Sequence, residues 1–223
     1  MKYRYLQLAC FLVVGTCALS YATAQINVHR IDIGTDRVGS PPVNFEFLRT
    51  GEGTVGNWMV VPDATTVAKV SIEHLSDDKT EGRFSIAVYK PLSVKNLAVR
   101  ARVKVIDGTM QSAGLAVRIQ DRNNYYVVST STLERRIDLF RVVNGKSHRI
   151  AGIDADVAIN RWHMIALVAD EDRFTIAVDN KQLFSVSDPT FLTEGRVGLW
   201  AEEDNLARFD RVEIRALPRL EER

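Results

Sequence analysis

Two-residue alternation of apolar and charged side chains is the feature that most limits what this chain can fold into. Residues 97–105 place Val or Ala at every second position from Val99, with Arg or Lys between them. Because successive side chains of a β-strand point to opposite faces, this pattern predicts a strand with one buried and one cationic face. Residues 115–120 repeat the alternation, and no stripe of 3.6-residue periodicity reaches helical length.

Short runs rich in β-branched and aromatic residues follow one another along the chain, with turn residues between them. Asn144-Gly145 is the strongest hairpin signal, because both central positions of that tight turn need positive φ. Asp179-Asn180 predicts a second hairpin. With no helices to cover a parallel sheet, the pattern predicts an all-β jelly-roll sandwich of two antiparallel sheets. The other β-rich runs are residues 58–61, 67–74, 84–89, 125–132, 137–143, 162–168, 174–178, 183–187, 197–201 and 209–214.

A single domain is the simplest organisation, because no Pro-, Ser- or Gly-rich linker interrupts the strand pattern. We predict one domain over residues 25–217, in which residues 25–44 form an irregular lead-in around Gly39-Ser40-Pro41-Pro42. Residues 218–223 are predicted to be a charged tail.

The first 24 residues have the pattern of a secretory signal peptide. Lys2 and Arg4 precede an uncharged run that ends in Ala22-Thr23-Ala24, a small-x-small cleavage pattern, so we expect cleavage after Ala24. An uncleaved N-terminal anchor is one alternative, since the run is nearly long enough to span a bilayer. Lipidation at Cys17, which follows Val-Gly-Thr, is another.

Composition narrows the compartment and the partners. Both cysteines, Cys10 and Cys17, lie in the predicted signal peptide, so the mature chain would have neither thiol nor disulfide. A cysteine-free exported domain fits a Gram-negative periplasm, and we predict a periplasmic or secreted bacterial protein without membrane insertion after cleavage. The balance of 29 Lys and Arg against 28 Asp and Glu, without a basic run, gives no reason to expect a nucleic-acid partner.

Several segments resemble a known family of bacterial domains. These are Asn124-Tyr125-Tyr126-Val127-Val128, residues 139–146, Trp162-His163, residues 179–184 and residues 195–200. They resemble the concanavalin A-like domains catalogued as 3-keto-disaccharide hydrolase-like, distantly similar to laminin-G and family-16 glucanase sandwiches, over residues 31–214. The resemblance implies a concanavalin A-like sandwich and a carbohydrate-active exported protein that acts as a 3-keto-disaccharide or other glycoside hydrolase.

The resemblance has a departure on the strand that follows the Asn-Tyr-Tyr motif. Relatives carry an Arg and an Asn where this chain has Ser129 and Ser131. They also tend to have Asp and Asn where this chain has Arg135 and Arg136. If those polar side chains serve a sugar site in the family, this chain differs from its relatives within that site.

Glu134 is the candidate catalytic acid or base, because it matches the family's Glu and lies in a polar segment between two apolar runs. Hydrolysis also needs a base or nucleophile, and the Glu-x-Asp-x-x-Glu spacing of retaining glucanases is absent from the sequence. A surface ion pair between Glu134 and Arg135 or Arg136 is the alternative. Whether the chain is an enzyme therefore stays open.

The candidate substrate-binding residues are cations and aromatics on predicted strands. If their strands are neighbours in the concave sheet, Arg100, Arg102, Lys104 and Arg118 would offer donors to sugar hydroxyls, a keto oxygen or a uronate. The alternative is an exposed face that serves solubility. Aromatic side chains could stack on a pyranose ring, or could belong to the core instead, and these are Tyr125, Tyr126 and Trp200.

No metal or cofactor motif is present. The four histidines are scattered singly, which disfavours zinc. The acidic run at residues 202–204 is predicted to be a solvated loop, with a calcium or sugar-hydroxyl site as the alternative. The leading hypothesis is a protein that binds a glycoside in the concave sheet face. A non-catalytic laminin-G-like glycan-binding or adhesion module and a structural periplasmic protein that binds a partner are the competing classes.

Overall fold

The computed structural model describes residues 28–218, and these residues form strands without helices. The predicted all-β class is confirmed; the predicted signal peptide and residues 219–223 of the predicted tail lie outside the described residues. In chain order the strands are β1 (Val28–Arg30), β2 (Phe45–Thr50), β3 (Asn57–Pro62), β4 (Val70–Leu75), β5 (Phe84–Val94), β6 (Leu97–Asp107), β7 (Ser112–Asp121), β8 (Asn124–Ser131), β9 (Arg136–Val143), β10 (Lys146–Asp154), β11 (His163–Asp170), β12 (Arg173–Val178), β13 (Lys181–Ser187), β14 (Gly195–Glu202) and β15 (Leu206–Ala216).

Two antiparallel sheets make up the sandwich. Sheet A has the order β13-β12-β11-β6-β15-β4-β3. In addition, β1 pairs with residues 213–215 of β15. Sheet B has the order β10-β9-β8-β7-β14-β5-β2. Consecutive strands β6 and β7 lie in different sheets, because residues 108–111 cross from one layer to the other. The predicted sandwich of two antiparallel sheets is confirmed.

The main core lies between the sheets and follows the alternation of the sequence. Val99, Ala101 and Val103 of β6 are buried, and they pack in one cluster with Leu115 of β7 and Leu199 of β14. Burying side chains of this size stabilises the fold by about 1.5–3 kcal/mol each. The residues between them, Arg100, Arg102 and Lys104, point to the outer face of sheet A, as the sequence predicts for a half-buried strand.

The two predicted hairpins are present. Asn144 and Gly145 have φ of 51° and 78° and connect β9 to β10. Asp179 and Asn180 have φ of 49° and 66° and connect β12 to β13. Positive φ at both central residues matches the right-handed twist of the flanking strands, which is why these dipeptides form two-residue turns.

Sheet B coils so strongly that its outer face becomes concave. The Thr50 hydroxyl, at the end of β2, donates to the Arg122 carbonyl and lies 2.9 Å from the Tyr125 hydroxyl. Three strands separate β2 from β8 in the sheet, so this contact requires two corners of the sheet to curl toward each other. Beneath the contact, side chains of the outer face are buried against one another, and these are Phe84, Ile86, Val88, Ala116, Ile119, Tyr125, Val127, Val142 and Trp200.

Gly114 of β7 allows the close approach of β8 that this curvature needs. A β-carbon at Gly114 would lie 1.9 Å from the Val128 carbonyl oxygen, a backbone atom that cannot rotate away. We expect Gly114→Ala to lower the free energy of unfolding by about 3 kcal/mol, measured by urea denaturation. Gly34→Ala is the matched control, because its β-carbon would meet a movable Asp32 side chain at 3.1 Å. Equal unfolding midpoints for the two variants would contradict this account.

Candidate functional site

The predicted basic groove does not form. Arg100, Arg102 and Lys104 lie on β6 in sheet A, whereas Arg118 lies on β7 in sheet B. The expectation that these side chains line one concave surface is therefore wrong. Alternation correctly assigns the two faces of each strand, but it does not reveal that the chain changes sheets between β6 and β7.

The cations of β6 are each paired with an acid on the outer face of sheet A. Arg100 donates to Glu213 at 2.6 Å, and Arg102 donates to Asp210 at 3.1 Å. Lys104 donates to Asp63 at 3.1 Å. The three cations of β6 therefore already have acidic partners.

Trp162 and Asp63 make further contacts with the cations of this outer face. The Arg102 guanidinium and the Lys104 ammonium both lie 4.6 Å from the centre of the Trp162 ring. Burial disfavours the ionised form of Asp63, but hydrogen bonds from Thr65, Lys104 and Arg208 outweigh it and hold the pKa of this carboxyl well below its usual range. The face is thus a structural network of ion pairs.

Arg118 has a structural position. Its backbone has φ of 50° at a bulge in β7, and its side chain is fully buried. The guanidinium donates to the carbonyls of Lys95 at 2.9 Å, Phe191 at 2.9 Å and Glu171 at 2.5 Å. All three guanidinium nitrogens are engaged, so Arg118 joins three loops and does not face a ligand groove.

Of the three predicted stacking aromatics, Tyr125 is fully buried in the apolar cluster of the concave face, and the other two are buried in different places. Tyr126 faces the core between the sheets, where its hydroxyl donates to the Asp188 carboxylate at 2.7 Å. Burial raises the pKa of Tyr126 to about 12. Trp200 lies on the concave face and packs on Phe84 at 5.2 Å between ring centres, with 3% of its surface exposed. Core packing, the alternative left open by the sequence, describes both residues.

Glu134 lies in the turn between β8 and β9, with 63% of its side chain exposed. The Arg136 Nε is 3.8 Å from its carboxylate, so the two form the surface ion pair that the sequence left as an alternative. This turn is nevertheless at the end of sheet B where polar side chains collect on the concave face.

We call this collection the polar strip. Strand register places its members on one face: Asp138 is opposite Ser129, and both Arg136 and Ser112 are opposite Ser131. Glu202 follows Trp200 by two residues on β14 and so shares its face. The polar strip consists of Ser112, Ser129, Ser131, Arg136, Asp138, Arg149 and Glu202.

Asp138 is the centre of the polar strip. Its carboxylate accepts hydrogen bonds from Arg136 Nε at 2.6 Å and from Arg149 Nε at 2.5 Å. Gly152 leaves room for it, since a β-carbon there would lie 1.8 Å from Asp138 Oδ1. The Arg149 side chain is 48% exposed, so it keeps donors that face solvent. Sequence reasoning missed Asp138 and Arg149, because their positions depend on pairing between strands.

Glu202 is the second carboxyl of the polar strip. Burial raises its pKa to about 7, the neighbouring charges of Glu203 and Glu134 add to the rise, and the Ser112 hydroxyl partly opposes it. Glu202 is therefore only partly ionised at neutral pH. The expectation that residues 202–204 form a solvated loop is wrong for Glu202, which ends β14, and for Glu203, which is buried.

Two structural properties bear on the sequence predictions about metals and membranes. No group of three or more His, Cys, Asp or Glu side chains within residues 28–218 is arranged to hold a metal ion. In the same part of the chain, no helix has the length and apolar character needed to cross a membrane.

The position of Arg118 predicts a large effect on stability. In Arg118→Lys a single ammonium cannot reach the three carbonyls, so buried acceptors lose their donors. We expect the free energy of unfolding to fall by about 3 kcal/mol, measured by urea denaturation. Arg100→Lys, which changes an exposed ion pair, should cost less than about 1 kcal/mol. Similar losses in both variants would show that Arg118 has no special structural role.

Glu202 predicts a pH-dependent difference in stability. Because its folded pKa of about 7 exceeds the ordinary value of 4.5, ionisation of Glu202 lowers stability as pH rises from 4.5 through 7. Relative to wild type, Glu202→Gln should gain on the order of 2–3 kcal/mol at pH 8 and little at pH 5.

The effect of Glu202 must be measured as a difference between wild type and variant, because protonation of His74 changes stability with pH in the opposite direction. Burial lowers the pKa of His74 from 6.5 to about 4, so the folded state loses stability as pH falls through that range. Urea denaturation at pH 5, 6.5 and 8 measures the wild-type-to-variant difference, with exposed Glu194→Gln as control. A difference that does not grow with pH would contradict the assignment to Glu202.

No family model matches this chain, and no curated protein matches it. Solved structures do match. The carbohydrate binding module CBM66 from Bacillus subtilis has a TM-score of 0.61 and 21% identity, covering 76% of this chain and 95% of that one. A Bacillus subtilis protein of unknown function with a galectin-like fold has a TM-score of 0.56 and 11% identity, covering 77% and 89%.

The β-glucanase of Bacillus licheniformis has a TM-score of 0.54 and 9% identity, covering 88% of this chain and 100% of that one. At these identities the similarity establishes the fold. The chain and these solved structures share a jelly-roll sandwich of two antiparallel sheets.

Proposed function

We propose that this chain is an exported carbohydrate-binding protein that recognises a glycan on the polar strip of sheet B. The observation that carries the proposal is Asp138, a carboxylate held between Arg136 and Arg149 beside the apolar cluster of the concave face. A buried polar network of this kind is costly unless every member is satisfied, and it concentrates oriented donors and acceptors in one place.

The chemistry of the polar strip suits sugar hydroxyls. Each hydroxyl both donates and accepts, so a sugar site needs carboxylate or serine acceptors beside guanidinium or serine donors. The polar strip offers both kinds, with the Ser112 and Ser129 hydroxyls 2.6 Å apart. All of these side chains are within strands, and rigid strands hold binding groups in place better than loops do.

An apolar surface adjoins these polar groups. Phe140 of β9 is paired across the strands with Arg149 and is only partly buried in the concave cluster. The C–H faces of a pyranose are apolar, so an exposed ring edge beside hydrogen-bonding groups supports sugar binding. Phe140 takes the place that the sequence analysis gave to Trp200.

The comparisons support the class of ligand and leave its identity open. CBM66 is a carbohydrate binding module, and the Bacillus licheniformis protein is a β-glucanase. Both share the sandwich with this chain at low identity, so the ligand class is carried over by analogy. We also propose that the protein is exported to a bacterial periplasm or to the medium and that it uses no cofactor.

Glycoside hydrolysis is a second candidate, and Glu202 is the observation that favours it. A carboxyl with a pKa of about 7 can donate a proton to a leaving group at neutral pH. Glu134, whose charge contributes to that pKa, would then be the base or nucleophile that hydrolysis also needs. In this form of the proposal the substrate is a 3-keto-disaccharide or related glycoside, and turnover is lost in Glu202→Gln.

A glycan array with purified mature protein tests the binding proposal. Arg149→Ala should weaken binding to array hits by about tenfold, because it removes exposed donors beside Asp138. Arg100→Ala is the matched control on the outer face of sheet A and should leave affinity unchanged. Circular dichroism should show both variants folded. Binding that is insensitive to Arg149→Ala but lost in Arg100→Ala would place the ligand on sheet A and contradict the proposal.

A further inference from the structure

We infer that Glu202 selects ligands by charge, so that the polar strip takes uncharged glycans and rejects uronates and other anionic sugars. This inference rests on the proposed function and specifies its substrate class. It reverses the expectation, based on a basic groove, that a uronate would be a suitable ligand.

The first argument is that the cations of the polar strip are already neutralised. Both Arg136 and Arg149 bind Asp138, and Arg136 also has Glu134 at 3.8 Å. A sugar carboxylate would have to compete with protein carboxylates at 2.5–2.6 Å from the guanidinium nitrogens. The arginines therefore offer spare donors to hydroxyls without offering net positive charge.

The second argument is that Glu202 has no cationic partner. No Arg, Lys or His nitrogen of the described residues lies within 4.0 Å of its carboxylate, although many other acids of residues 28–218 have such a partner. The groups around Glu202 are polar, apolar or acidic: Ser112 on β7, Phe84 on β5, Glu203 beside it, and Glu134 on the β8–β9 turn.

The buried cation Arg83 does not compensate Glu202. Arg83, the residue before Phe84, donates to the carbonyl of Glu203 and to Ser76 and Asp78. Its Nε lies 3.7 Å from the Asp78 carboxylate. Asp204 is held by the backbone amide and hydroxyl of Thr109. Arg83 is thus committed to the loops behind β14 and to Glu203, and ionised Glu202 is the uncompensated charge at this end of the polar strip.

These groups determine which ligands fit. An anionic sugar would lose water and meet the like charge of ionised Glu202, an arrangement that opposes binding. An uncharged sugar that covers Glu202 removes more water from it and so favours its protonated, hydrogen-bond-donating form. The raised pKa of Glu202 agrees with this geometry. Affinity for uncharged glycans should then be highest below pH 7 and fall above it.

The test compares uncharged polysaccharides with their own C6-oxidised derivatives. Barley β-glucan, pullulan and galactan, and the carboxylated form of each, are titrated calorimetrically into the mature protein at pH 5.5 and pH 8. We expect uncharged forms to bind at least tenfold more tightly than carboxylated forms at pH 8. Affinity for the uncharged forms should be several-fold higher at pH 5.5 than at pH 8.

Variants assign the effect to one side chain. Glu202→Gln should abolish the pH dependence with uncharged glycans and improve binding of carboxylated glycans at pH 8. Glu194→Gln, at the exposed loop before β14, changes net charge equally and should behave like wild type throughout.

The results of these titrations distinguish a failure of the inference from a failure of the proposed function. Equal or tighter binding of carboxylated glycans, or a pH dependence that persists in Glu202→Gln, overturns the inference while leaving glycan binding intact. Absence of binding to every polysaccharide and to the glycan array overturns the proposed function, and the inference with it.

Discussion

The corner-to-corner contact in sheet B is the constraint on which the rest of the structure depends. Where the Thr50 hydroxyl meets the Arg122 carbonyl and the Tyr125 hydroxyl, two distant corners of a seven-stranded sheet are held together. The sheet must coil to make this contact, and its outer face then buries a second apolar cluster that includes Trp200. Solvent reaches the concave face chiefly at its other end, which is where Arg149 and Glu134 are exposed.

The sequence predicted the fold well because the fold depends on local patterns. Alternation in residues 97–105 identifies a half-buried strand, and Asn144-Gly145 identifies a hairpin, without knowledge of any distant residue. The assignment of each strand to one sheet or the other does not follow from local patterns. That β6 and β7 belong to opposite sheets depends on how 15 strands pair, and Arg118 leaves the alternation at a bulge with positive φ. Its burial could not be read from spacing.

The candidate site was predicted only in part, for the same reason. Ser129 and Ser131 drew attention as departures from the resembled family, and they do lie on the polar strip. Asp138 and Arg149 belong to it through the β8–β9–β10 register, which single-strand periodicity does not specify. Glu202 looks like part of an exposed acidic run, and only the position of β14 between β5 and β7 partly buries it.

The two outer faces of the sandwich differ in how completely their charges are satisfied, and this difference points to function. On sheet A, Arg102 and Lys104 pair with Asp210 and Asp63, which is what a stable exposed face requires. On sheet B, Glu202 has no such partner among the described residues, and its ionisation destabilises the fold at neutral pH. Proteins retain such local conflicts mainly at functional sites, where a ligand resolves them. Sheet B is therefore the face on which we expect binding.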